Sequence, residues 1–431
     1  MKILKNINKN FFDDLKILLD SRSQFNFDNI DNQVNEIIEE VKLYGDSALC
    51  KYSEIFDGVK INSEDLLIDK NVRNSYKKNI DFNHLKSFER SIENVTHFHE
   101  KQIPKNYEIN KNNLKIGSYW KPIESVGLYV PGGQASYPSS LIMNAVPARV
   151  AGVKRLVVVS PPKKEGLNPY ILALLDILNV EEAYQVGGAH SIAALAYGTK
   201  SILPVNKIFG PGNAFVASAK KQVFGKVGID LIAGPSEIVI VADKDNNSDW
   251  VASDLMAQAE HDINSQSILI TDSLDFAKNV LESVDKLIIN LTKKDTIKKS
   301  LTRYGIIIIL DDILKSSEII NFIAPEHLHL QNKSKDEIFK QVNNVGTTFL
   351  GEYTSEAFGD YIVGTNHILP TSGSSKYSSG LGILDFMKRS SYVELNEISS
   401  SDLENDVSIM ADIENLDAHK LSVKIRQKGK K

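Results

Sequence analysis

The chain has 431 residues, 42% hydrophobic and 24% charged, with a formal net charge of -5. That length calls for more than one domain, and the well-mixed charges leave no basic field for nucleic acid. No apolar run approaches the roughly 20 residues that span a bilayer, and a single cysteine, Cys50, allows no intrachain disulfide, as suits a reducing compartment.

The N-terminus, with Lys2, Lys5 and Lys9 and no long apolar core, does not have the form of a secretory signal; a cytoplasmic protein is expected. Residues 1–27 are expected to form an N-terminal helical arm. Residues 28–100 read as mostly helical. Val34, Ile37, Ile38 and Val41 are spaced for one buried face, and Gly45 is a good stop. Cys50 lies in a helix-like segment opened by Gly45-Asp46, with no histidine or basic cluster to activate it. His84, His97 and His99 fall in a charged helical stretch and are expected to face solvent.

Further along, the texture changes. Short β-branched runs alternate with helical patterns: 127–130, 156–159, 183–186, 207–209, 238–241, 267–270, 306–309 and 347–350. Apolar strands separated by helices indicate parallel sheets covered on both faces. Eight are many for one sheet, so two lobes with a cleft between them are expected. The predicted fold class is α/β: two incomplete Rossmann-like lobes with parallel-rich sheets, plus small helical N-terminal and C-terminal segments. Residues 28–128 and 238–380 are assigned to a discontinuous first lobe, 129–237 to a second, and 381–431 to a tail. The tail reads as a loose helical appendage with a basic end, Lys424 to Lys431.

Several residues could carry chemistry. A helix capped by Ser248 is expected, with Trp250, Val251, Leu255, Met256 and Ala259 as its apolar stripe. Gln258 and His261 lie three apart near its end and share a face. An amide oxygen and an imidazole from one turn are half of a tetrahedral zinc site; the alternative is an exposed polar last turn. Glycine turns follow several strands, at Val130-Pro131-Gly132-Gly133, at Gly187-Gly188-Ala189-His190 and at Gly210-Pro211-Gly212-Asn213. Asn213 is placed to cap the next helix, and such glycines let backbone N–H groups approach an anion. No G-x-G-x-x-G occurs, so the usual dinucleotide fingerprint is missing. In Ala324-Pro325-Glu326-His327 the proline should push Ala324 toward extended geometry. The adjacent acid and imidazole can share proton transfer; an exposed polar turn is the alternative. His329 is expected at the surface. Asp360 and His367 lie on one irregular segment. Glu414 and His419 are five apart, with Asp417 placed to start a fresh helix between them.

Gly-Pro-Gly-Asn-Ala-Phe-Val (210–216), Ala-Gly-Pro-Ser-Glu (233–237), Gln-Ala-Glu-His (258–261), Ala-Pro-Glu-His-Leu (324–328), Gly-Asp-Tyr (359–361), Gly-Thr-Asn-His-Ile-Leu-Pro-Thr (364–371), Ser-Ser-Gly-Leu (378–381) and Leu-Asp-Ala-His (416–419) occur in that order. Together they closely resemble the histidinol dehydrogenase family, across essentially the whole chain. The resemblance implies an NAD-dependent oxidation of L-histidinol through the aldehyde to L-histidine. It implies one zinc per site, held by Gln258, His261, Asp360 and His419, and Glu326 and His327 as acid–base residues. Substrate contacts would fall to Ser236, Gln258, His261, His327, Asp360, Glu414 and His419, with His367 nearby. Cofactor contacts would fall to Tyr129, His190 and Asn213, which makes the second lobe the cofactor side. The tail would cross to a partner subunit, so that Glu414 and His419 complete the partner's site in a homodimer. The family usually has Gln where this chain has His190, which predicts weakened or pH-dependent NAD affinity. Two other readings stay open on the residues alone: a zinc hydrolase in which Glu326 activates water, and a two-lobed solute-binding protein without chemistry.

Overall fold

In the computed structural model two parallel sheets carry the chain, and a smaller antiparallel sheet joins the tail to them. The structure describes residues 1–6, 10–23, 27–132, 137–232 and 234–427. Its strands are β1 (Lys2–Lys5), β2 (Tyr107–Lys111), β3 (Leu114–Pro122), β4 (Ser125–Tyr129), β5 (Arg155–Ser160), β6 (Glu182–Gln185) and β7 (Lys207–Phe209). They continue with β8 (Gly228–Ile229), β9 (Glu237–Val241), β10 (Gln266–Thr271), β11 (Ile306–Ile309), β12 (His327–Leu330), β13 (Thr347–Leu350) and β14 (Met387–Leu395). One sheet runs β1-β11-β10-β9-β12-β13 and the other β6-β5-β4-β7-β8, both parallel throughout. The eight expected runs are all strands, and the α/β class with two parallel-rich lobes is what the chain adopts.

Each sheet is covered on both faces, which is why its strands are continuous apolar runs. Ile238 and Ile240 pack with Val251, Leu255 and Met256 on one side of the first sheet. Val239 and Val241 pack with Phe11, Leu15 and Ile320 on the other. In the second sheet Val157 and Val159 pack with Val34, Ile38 and Ala193, while Leu156 and Val158 pack with Leu141, Leu172 and Leu174.

That packing differs from the expected grouping in four places. The helix Phe27–Tyr44 packs on the second sheet's side, against the helices Gly188–Tyr197 and Ala214–Val223, and Asp46–Tyr52 joins it against the former. The helix Phe82–Glu100 packs on Pro138–Val150 of the same lobe. Periodicity shows that a helix has a buried face but not which sheet it covers. The N-terminal arm is not only helical, since β1 extends the first sheet by pairing with β11. The tail is tied down before it becomes helical: β14 pairs antiparallel with β3 from Met387↔Pro122 to Leu395↔Leu114. Two helices follow, Glu397–Ile413 and Asp417–Gln427, with the break at Asn415 in left-handed geometry (φ 57°).

Local differences have equally local causes. His99 is buried, its Nδ1 2.8 Å from the Val95 carbonyl oxygen, while His84 and His97 are exposed as expected. Asn247, not Ser248, caps the helix Ser248–Ala259, accepting from the backbone of Asp249 and Trp250. Trp250 faces outward, and Ala252 takes its place in the apolar stripe. Ala324 is not extended but left-handed, at φ 54° and ψ 61°, as the residue that ends the helix Ser316–Ile323. The structure describes the glycine turns apart from Gly133, and the Ala-Gly-Pro-Ser-Glu motif apart from Ala233; both residues, together with Lys9 and residues 428–431, lie outside the described residues.

Candidate active site

The register of β9 and β12 builds the centre of the site. His327 pairs with Ile238, so Glu326 enters its strand beside Glu237. The Glu237 N–H donates to Glu326 Oε2 at 2.9 Å, and the Glu237 carbonyl oxygen lies 3.2 Å from His327 Nδ1. Glu237 is itself held by its side chain. Arg22, from the first helix, meets its Oε1 at 3.2 Å, and the Ser372 N–H donates to the same oxygen. Gly346 lies against this strand start; a Cβ there would sit 2.5 Å from the Glu326 carbonyl oxygen.

These groups stand at the amino ends of β9, β10 and β12. The helix Ser248–Ala259, which connects β9 to β10, therefore ends at the same edge and delivers Gln258 and His261 there. The carbonyl end of a helix favours a cation nearby. A short helix, Glu356–Tyr361, adds Glu356 and Asp360, four apart on one face. The opposite wall comes from the carboxyl ends of strands in the second sheet, through Pro131, Gly212 and Asn213. At Gly210 (φ 111°) a Cβ would lie 2.2 Å from the Tyr129 carbonyl oxygen, so only glycine lets the β4 and β7 ends close together there. The cleft thus faces the amino edge of one sheet and the carboxyl edge of the other, and holds a cavity of about 320 Å³.

Ser236, Gln258, His261, His327, Asp360 and His367 all line that cavity. His367 is oriented by the Asp360 carbonyl oxygen, 2.9 Å from its Nδ1. Glu326 lies beneath the lining, buried behind His327. Tyr129, His190 and Asn213 line a second cavity of about 590 Å³. Asn213 belongs to both walls, so the two cavities adjoin. It also caps its helix as expected, accepting from Phe215 and Val216 backbone N–H groups. Glu414 and His419 are not brought to this cleft; both are exposed on the tail.

Three residues have places at the site that no motif announces. Glu356 Oε1 lies 3.2 Å from His327 Nδ1, and Glu356 is almost fully buried, at 2%. Its spacing of four before Asp360 is the available signal. His329 is buried rather than exposed, because β12 starts at His327 and residues two apart on a strand share a face. Its Nδ1 lies 3.2 Å from Asp254 Oδ2, and Asp254 also accepts from Gln331 and Ser355. This third residue, Asp254, sits one turn before Gln258, so the network ties the helix that carries Gln258 to the strand that carries His327.

Burial dominates the electrostatics. Desolvation pushes Glu326 and Glu356 well above the usual carboxylate range, with nearby acids adding to it and, for Glu326, the Glu237 N–H opposing it. Asp360 is pushed up to about 6 by burial, with His261 opposing. His327 is pushed down to about 3 by burial, and His261 and His367 are also lowered for that reason. The imidazole of His327 is therefore neutral near pH 7, and its contacts with the Glu326 and Glu356 carboxyl groups are not ion pairs. A proton on Nδ1 is accepted by the Glu237 carbonyl oxygen at 3.2 Å, with Glu356 Oε1 also 3.2 Å away, which leaves Nε2 as the basic nitrogen. The Gln258 amide nitrogen belongs toward Glu356 Oε1, 3.0 Å away, and Glu237 O, 3.2 Å away.

So many acids and imidazoles at one point suit a divalent cation, whose charge reverses the penalty on each carboxylate. Among the described residues, His327, Glu356 and Asp360 offer ligand atoms within 4.8 Å of one another. Gln258 touches the first two, and His261 is near enough to Asp360 for the charge of each to oppose the effect of burial on the other. Imidazole, carboxylate and amide oxygen are donors that fit zinc.

Two parallel-sheet lobes working across such a cleft define an α/β enzyme. A sequence model described as histidinol dehydrogenase matches residues 20–427. A histidinol dehydrogenase of Agrobacterium fabrum is 45% identical over 401 residues, 93% of each chain, and histidinol dehydrogenase 1 of a Nostoc species is 41% identical over 432 residues, the whole of both. The crystal structure of histidinol dehydrogenase from Elizabethkingia anophelis superposes with a TM-score of 0.93 at 31% identity, covering 99% of this chain and 98% of that one. The chain belongs to the histidinol dehydrogenase family and is an oxidoreductase. That membership decides against the hydrolase and solute-binding alternatives.

Proposed function

We propose that this protein oxidises L-histidinol through L-histidinal to L-histidine, the last steps of histidine biosynthesis, with NAD as acceptor and one zinc ion per site. The observation that carries this reading is the junction of two cavities at Asn213. One cavity has an acid–imidazole set suited to an amino alcohol and a cation; the other lies at the carboxyl edge of a parallel sheet, where dinucleotides bind.

Gln258, His261 and Asp360 would hold the metal, with His419 of the tail as the fourth donor. When bound, the metal would supply a grip on the substrate's amine and imidazole, and NAD a hydride acceptor. Neutral His327 takes the hydroxyl proton at Nε2 as the C–H hydride leaves. Glu356 and the Glu237 carbonyl fix the ring for that transfer. Glu326, anchored by the Glu237 N–H, activates the water that hydrates the aldehyde for the second oxidation. Ser236 and His367 position the substrate, and Tyr129, His190 and Asn213 the cofactor.

The exposed place of Glu414 and His419 supports a homodimer in which each tail completes the partner's site. The tail leaves Ile398, Met410, Ile413, Leu421 and Ile425 uncovered, an apolar face of the kind that marks an interface. A cytoplasmic location fits this metabolic role, and no described helix is long and apolar enough to cross a membrane.

The direct test is absorbance at 340 nm on mixing protein, NAD and histidinol; no rise removes the dehydrogenase reading for this chain. Metal analysis tests the ligands. His261→Asn and Asp360→Ala should lose zinc, and His327→Ala should keep zinc and lose turnover. Normal zinc in His261→Asn refutes the ligand set.

A further inference from the structure

The proposed reaction uses the backbone of Glu237 and leaves its side chain without a task. The Glu237 N–H donates to Glu326 Oε2 at 2.9 Å, and its carbonyl oxygen lies 3.2 Å from His327 Nδ1. The place of this one residue therefore sets the place of both. Its chain neighbour Ser236 lines the substrate cavity. Glu237 itself lines a different cavity, of about 330 Å³, which shares no lining residue with the substrate cavity.

The cation that meets this carboxylate comes from far away in the sequence. Arg22 lies in the last turn of the helix Phe11–Ser23, where the carbonyl end favours a positive charge. The two side chains are only 3% and 4% exposed. One guanidinium nitrogen, Nη2, makes two contacts, 3.2 Å from Glu237 Oε1 and 3.2 Å from the Pro235 carbonyl oxygen. Arg22 thus grips both ends of Pro235-Ser236-Glu237. The Ser372 N–H donates to the same Glu237 oxygen, and Thr371 Oγ1 accepts from the Gly234 N–H at 2.6 Å. A buried ion pair adds little stability over an apolar pair of similar volume, because desolvation offsets the attraction. What it adds here is a fixed course for the backbone between its contacts.

Resting on the reading that Glu326 and His327 are the acid–base groups, we propose that Arg22 is a positioning residue for the reaction: by clamping Pro235 to Glu237 it sets the backbone that orients both groups. Arg22 lines neither the substrate cavity nor the cofactor cavity, so it acts only through Glu237. Proton transfer is sensitive to such placement, since a shift of about 1 Å can cost about a hundredfold in rate. The guanidinium also has room beside it. Arg22 lines the 330 Å³ cavity, its Nη1 has no hydrogen-bond partner among the described residues, and the lining residues Lys16, Asp20 and Lys376 are exposed. Shortening Arg22 to alanine extends that open cavity toward Glu237, so a free guanidinium ion can enter and take the vacated place.

Turnover, zinc content and thermal midpoint of the full-length protein test this, on the native chain, Arg22→Ala, Arg22→Lys and the double variant Arg22→Met with Glu237→Gln. Arg22→Ala should lose about ten- to a hundredfold in kcat with both histidinol and histidinal, while KM and zinc content stay near native. Millimolar guanidinium chloride, far below denaturing levels, should restore much of that loss in a saturable way. Urea, planar but uncharged, should not. Arg22→Lys should recover part of it without any addition. The double variant leaves no unpaired charge in the interior, so it should keep its thermal midpoint and still lose kcat; it decides the matter if Arg22→Ala does not fold. Native kcat in Arg22→Ala or in the double variant overturns the proposal. So does a loss in folded Arg22→Ala that guanidinium leaves untouched, or one that only tracks lost zinc. A double variant that fails to fold also overturns it, because the pair then serves stability. No rise at 340 nm with native protein removes the acid–base reading itself, whatever the variants do.

Discussion

At position 190 an imidazole sits fully buried near the rings of Tyr52 and Phe56, and neither ring nitrogen has a hydrogen-bond partner among the described residues. Burial lowers its pKa to about 3, so it stays neutral across pH 6 to 9. His190 therefore has no titration of its own in that range through which the affinity of a cofactor would depend on pH. Stability is where His190 should register pH. Below about 6.5 the unfolded histidine takes up a proton that the folded one refuses, so its contribution is lost as pH falls toward 3. Between pH 7.5 and 5 native protein should lose about 2 kcal/mol that His190→Gln does not lose; urea unfolding at both pH values measures it, and parallel losses refute the burial argument. Glu356 acts through a neighbour. Glu356→Gln should leave His327 in place but weaken its orientation, lowering kcat about ten- to a hundredfold, the usual cost of disturbing a supporting contact. Unchanged turnover would show that the Glu237 carbonyl suffices.

Elements decide how those residues meet. The start of β12 is pinned between β9 and β13, with the Gly346 N–H donating to the Pro325 carbonyl oxygen and the Thr347 N–H to that of Glu326. Gly346→Ala would force a Cβ against the Glu326 carbonyl. The expected outcome is a loss of turnover larger than the loss of thermal stability, since strands can part by a few tenths of an ångström while proton transfer tolerates little displacement. Equal activity in that variant would mean the strand start gives way harmlessly. Periodic elements are the legible part of this chain: Val34 to Val41, the Val251 to Ala259 stripe and the eight β-branched runs all fold as their spacing indicates. β12 is not among those runs, because His327-Leu328-His329-Leu330 carries two polar residues on a fully buried strand. Those histidines are buried because Glu237, Glu356, Asp254 and Gly351 supply partners from other segments, and no local pattern announces partners so distant.

On the scale of the molecule, the proposed assembly turns on the tail. Its strand β14 is fixed to β3, yet its two helices expose an apolar face and carry Glu414 and His419 away from their own cleft. If each tail serves a partner, mixing inactive Asp360→Ala protein with inactive His419→Asn protein after subunit exchange should restore activity, because one site of each mixed dimer then has neither substitution. No recovery, with exchange demonstrated, excludes shared sites. The family motifs, the two lobes and the candidate residues Gln258, His261, Glu326, His327 and Asp360 were determined by sequence alone, since each motif needs particular residue types at particular spacings. Which sheet the helices of 27–100 cover, the burial of His329, the supporting place of Glu356 and the meeting of two cavities at Asn213 were decided only by tertiary structure. They depend on contacts between segments far apart in the chain, where the free energy lies in mutual desolvation rather than in any local propensity.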